Sequence, residues 1–134
     1  MEAKELRIGN YVYDVYDHVN RQIDGYDFIN TKQHFKPIPL TEEWLLKFGF
    51  EKIPHFTVHN GMKLSIGRNR YLSVGDVNNP NQMMFLCSNV KDSNVVEDLV
   101  CVHNYDYDGW LNVHQLQNLY FSLTGEELTL KLEL

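Results

Sequence analysis

The chain has 134 residues, 43% of them hydrophobic and 13% aromatic, which is enough apolar material for one core without disulfide or metal staples and excludes extensive disorder. Its 12 Lys and Arg are scattered through a chain of net charge −6, and the densest basic spot is Arg68 and Arg70 beside Lys63. That is no footprint for a nucleic-acid backbone, so no nucleic-acid partner is expected.

No run reaches the ~18 apolar residues of a membrane span, so no membrane association is expected. Met1 to Leu6 lacks the apolar core and cleavage site of a signal peptide, which makes the cytoplasm the expected location. Cys87 and Cys101 sit in apolar, strand-like runs without zinc spacing and read as reduced, buried thiols. The chain shows no repeat and no linker longer than the loop from Gly75 to Gln82, so residues 1–134 are expected to form a single domain.

In chain order, Leu6 to Tyr13 places a Gly9-Asn10 turn before alternating residues, in the manner of the first strand of a small barrel. A second extended stretch spans Arg21 to Ile29, and Lys36-Pro37-Ile38-Pro39 forces an extended connection because proline disfavours helix in its predecessor. Thr41 then has the character of a helix N-cap: Glu42 and Glu43 put negative charge in the first turn, and Leu40 can staple onto Leu45. The predicted helix, about 41–49, buries Trp44, Leu45 and Phe48 and ends at Gly49.

For the next hairpin, a two-residue Asn60-Gly61 turn would split the apolar set between two faces. A three-residue loop, His59-Asn60-Gly61, pairs Val58 with Met62 and Phe56 with Leu64 on one face and sets Gly61 in a left-handed conformation. Further strands are predicted at Arg70 to Val74, Met83 to Cys87 and Val95 to His103, forming an antiparallel meander. The second helix, about 112–124, is marked by Asn112 as cap, Gln115 for a capping box, Leu111 and Leu116 as a staple, and Gly125 as terminator. Leu128, Leu130, Leu132 and Leu134 alternate with polar residues, the pattern of a final strand joining the sheet. The fold class is therefore α+β: an antiparallel, curled sheet of five or more strands with two packed helices.

Three stretches carry a family resemblance: Glu5-Leu6-Arg7-Ile8-Gly9-Asn10, the run from Pro37 through Thr41 and Trp44 to Phe50, and Val113-His114-Gln115-Leu116-Gln117-Asn118-Leu119-Tyr120-Phe121. Together they resemble small uncharacterised proteins recurrent in Bacteroidetes and in their phages and prophages. The resemblance implies a setting and no mechanism, since most matched positions are caps, staples and core side chains.

Chemistry has little support in the residues. On a strand, His55 and His59 would share a face about 13 Å apart, too far for two ligands of one ion. His103 and His114 flank Asp106 and Asp108, so a small metal-assisted hydrolase built on these four residues is the alternative function. Asn104, Asp106, Asp108, Gly109, Leu111 and Asn112 imitate an EF-hand calcium loop, but Gln115 stands where a bidentate glutamate belongs and a strand-like run precedes it. A hairpin turn at Asp108-Gly109 is the expected role. No metal site and no cofactor are assigned.

At about 100° per residue, Val113, Leu116, Leu119, Tyr120 and Leu123 fill one arc of the second helix, and Phe121 falls on its flank with His114 and Gln117. An aromatic on that flank is either covered by another part of the chain or available to a partner; as a partner-binding surface the flank would comprise Phe121, His114 and Gln117, and the partner is expected to be a protein. Elimination thus favours a non-enzymatic binding or accessory protein of a phage or mobile element.

Overall fold

The computed structural model describes residues 6–25, 35–52, 62–67, 70–75, 83–92, 95–104 and 111–131, with the backbone alone for 83–92 and 95–104. Strands and helices are mixed as the α+β class requires, but the strands fall into two sheets, one in each of two compact units. The first unit comprises Met1–Pro39 with Asn112–Leu128; the second comprises Leu40–Leu111 with Thr129–Leu134.

The first unit holds β1 (Tyr11–Asp14), β2 (Val19–Gln22) and β3 (Phe35–Lys36) in the antiparallel order β2-β1-β3. The turn into β1 falls at Gly9, whose φ of +99° suits a residue without a Cβ. Val12, Ile23 and Phe35 form the core of this sheet, with Leu6 packed against it. The β1–β2 turn is clamped by Asp14, whose buried carboxylate accepts from the amides of Tyr16 at 2.9 Å and Asp17 at 3.1 Å.

A long helix packs on β1; its amino-terminal end is tied to the segment after β3 by a Pro39–Asn112 bridge and a 2.8 Å bond from the Val113 amide to the Ile38 carbonyl. It runs Val113–Thr124 and is α2 in chain order. Its capping-box residue behaves as the sequence implies: the Gln115 side chain accepts from the Asn112 amide at 2.8 Å. Gly125, at φ +74°, ends the helix by bonding its amide to the Phe121 carbonyl.

In the second unit, α1 (Glu42–Lys47) starts at Thr41, whose hydroxyl accepts from the Trp44 amide at 3.4 Å. It closes with two reversed bonds, Gly49 to Leu46 and Phe50 to Leu45, around Gly49 at φ +95°. Leu45 and Phe48 are fully buried and Trp44 nearly so. The strands β4 (Glu51–Lys52), β5 (Met62–Gly67), β6 (Arg70–Gly75), β7 (Met83–Asp92) and β8 (Val95–Asn104) form a meander in chain order. Leu72, Ser73 and Val74 are all buried, so both faces of β6 are covered at its centre.

Three expectations need correction. Met62 pairs with Lys52 across β4–β5 and with Val74 across β5–β6, a register other than the expected one, while Phe56 and Val58 lie outside the described residues. The loop residues of that hairpin, including Gly61, lie outside the described residues, as do Asp106, Asp108 and the turn at Gly109. Second, the sheet is divided: β1 to β3 pair among themselves, and no strand of the second sheet appears in their order. Third, the described part of the predicted final strand, Leu128 to Lys131, keeps the alternation of covered and exposed residues but forms no strand; the Lys131 amide bonds the Lys47 carbonyl at 2.6 Å, and Leu132 to Leu134 lie outside the described residues. Alternation reports a half-covered extended segment, whereas a strand also needs a neighbour offering a continuous ladder.

Candidate functional site

The flank of α2 that was expected to face a partner divides in two. His114 and Gln117 are buried, at 1% and 0% exposure, so they do not form a surface, while Phe121 in the same row is 40% exposed.

Gln117 is buried because its carboxamide takes the place of a strand. Its Oε1 accepts from the Tyr11 amide at 2.8 Å and its Nε2 donates to the Gly9 carbonyl at 3.0 Å. Those two backbone groups flank Asn10 on one edge of the chain, the arrangement a neighbouring peptide would satisfy. One side chain of α2 thereby supplies a peptide-like partner to the chain entering β1, which removes the desolvation cost of both groups. Burial also pushes the Tyr11 phenol above its usual pKa.

The next residue extends the network. Asn118 Oδ1 accepts from Arg7 at 2.8 Å and from Asn10 Nδ2 at 2.9 Å, and the Asn10 Oδ1 accepts from the Arg7 amide at 2.6 Å. The Arg7 guanidinium also pairs with Glu127 and lies 4.1 Å from the centre of the Phe121 ring. Two of the motif stretches therefore meet here, Arg7-Ile8-Gly9-Asn10 and Gln117-Asn118 through Phe121, and their polar residues hold each other.

What this arrangement leaves at the surface is the carboxy-terminal part of α2. Phe121 and Leu123 are each 40% exposed and Ser122 between them is exposed. From Val113 to Thr124 the helix contains no Asp, Glu, Lys or Arg, although 22% of the whole chain is charged. An outward helix face normally carries charge, and charge depletion with retained aromatics is the composition of an interface centre.

The hydrolytic alternative gains no geometry. His114 is enclosed in the first turn of α2, the backbone of His103 belongs to β8, and Asp106 and Asp108 lie outside the described residues, as do His55 and His59. Among the described residues no group of three or more His, Cys, Asp or Glu side chains is placed to hold a metal ion. No described helix is long and apolar enough to cross a membrane.

Comparison with known proteins finds no matching family model, no matching curated relative and no matching solved structure.

Proposed function

We propose that this chain is a non-enzymatic binding protein that contacts another protein through the carboxy-terminal end of α2. The observation that supports this reading is Phe121, 40% exposed on the flank of a helix without charge. Arg7 adds to it, because its guanidinium is held by Asn118 and Glu127 while stacked on Phe121. A fixed arginine on a half-exposed aromatic ring loses little conformational entropy on binding, and these two residue types dominate the energetic centres of interfaces. The motif resemblance supplies the setting, a cytoplasmic accessory protein of a phage or mobile element.

A photo-reactive amino acid placed at position 122 tests the reading in the native cell, with position 20 on the exposed strand β2 as control. Protein adducts are expected from position 122 and not from position 20. Equal yields at both, or none at 122, would refute it.

A further inference from the structure

We infer that Cys87 and Cys101, which the register of β7 and β8 sets one diagonal apart on a single face of the sheet, form a two-thiol site for one Cu(I) ion. The site is independent of the protein contact at α2. The meander alone brings the chain's two cysteines together. Across its strands, Ser65, Tyr71, Cys87 and Leu99 stand opposite one another in one row, and Lys63, Ser73, Phe85 and Cys101 in the next. Directly opposite residues share a face, as do residues two apart on one strand, so both rows belong to one face. The pairing is regular from Phe85 to Cys87, because the register shifts fall on either side, at Met84/Phe85 and Cys87/Ser88.

Spacing decides the chemistry. Diagonal neighbours on adjacent strands stand ~7–8 Å apart, and Cα atoms more than about 7 Å apart cannot be joined by a disulfide without backbone movement. Two thiolates with a metal between them span more, since each metal–sulfur bond adds about 2.3 Å. Thiolate is the soft ligand that selects Cu(I), and Cu(I), unlike tetrahedral zinc, is satisfied by two ligands. Binding releases one proton from each thiol and changes no oxidation state. Access follows from the rows: Ser65, in the row of Cys87, is exposed and Tyr71 half-buried, whereas Ser73 in the row of Cys101 is buried. Met62, Leu72 and Val74, which hold the opposite face, are buried too. An incoming ion therefore meets the row of Cys87 first.

Competition for Cu(I) against the chromogenic chelator bicinchoninate, on the full chain under reducing and oxygen-free conditions, tests this. One equivalent per chain should be withdrawn from the chelator, and Cys87→Ser and Cys101→Ser should each abolish the withdrawal while keeping the parent's circular dichroism spectrum. X-ray absorption at the copper edge needs no variant, so it decides the matter even where a substitution unfolds the chain. It should show two sulfur ligands and no nitrogen or oxygen. No withdrawal of Cu(I), withdrawal that survives the loss of either cysteine, or a copper shell containing nitrogen or oxygen overturns the inference.

Discussion

Replacing Gln117 by leucine keeps the size of a fully buried side chain and removes both of its hydrogen bonds. The Gly9 carbonyl keeps a second donor, Gln22 Nε2 at 3.0 Å, so its loss is partial. The Tyr11 amide loses its side-chain acceptor, and an orphaned buried donor costs about 1–3 kcal/mol, offset in part because a buried amide no longer needs desolvation. A net loss of about 1–2 kcal/mol is expected, which lowers the melting temperature by roughly 3–10 °C for a chain of this size. Urea unfolding followed by circular dichroism measures it, with an unchanged m-value showing that the unfolded state is the same. Gln117→Glu adds a sign test. Only the protonated carboxyl can donate to the Gly9 carbonyl, and burial disfavours the charged form, so the folded pKa is raised above the unfolded value. The favourable contribution is then complete below about pH 4 and is lost as pH rises through the raised pKa. A leucine variant as stable as the parent, or a glutamate variant that strengthens with rising pH, would refute the strand-replacement argument.

Phe121→Ser should weaken association yet lower the melting temperature by only a few degrees, because the ring is 40% exposed and the Arg7 stacking contributes about 0.5–1 kcal/mol; complete loss of folding in the same calorimetric scan would show that the ring is core. Gly49→Ala should cost about 1 kcal/mol or more in chemical denaturation, since φ is +95° and the new Cβ would lie 3.0 Å from Lys131 Cγ, whereas a neutral result would contradict the helix-closing geometry. The raised pKa of the Tyr11 phenol means the parent should lose stability as pH climbs from about 10 through the folded value, and Tyr11→Phe should flatten that slope; identical alkaline profiles would contradict it.

The parts legible in the sequence are those decided locally. Thr41, Gly49, Gln115 and Gly125 act within a turn of their own helix, and each does what its residue type favours there. Register was harder, because matching apolar residues across a turn does not fix the offset between strands, and β4 meets β5 with Lys52 opposite Met62. The burial of Gln117 was not legible from its helix position: its partner is a backbone amide 106 residues earlier, and no periodicity carries that information. Two adjacent carboxamides, Gln117 and Asn118, beside an apolar stripe were the available hint that backbone was being paired. Phe121 stood out correctly from the main apolar arc, but the covering of its ring by Arg7 depends on contacts across the unit.

Photo-crosslinking from position 122 in the native cell tests most directly whether the end of α2 is the contact surface. The account predicts protein adducts from position 122 that Phe121→Ser reduces, and none from position 20 on β2. Adducts in equal yield from position 20, or none from position 122, would contradict it.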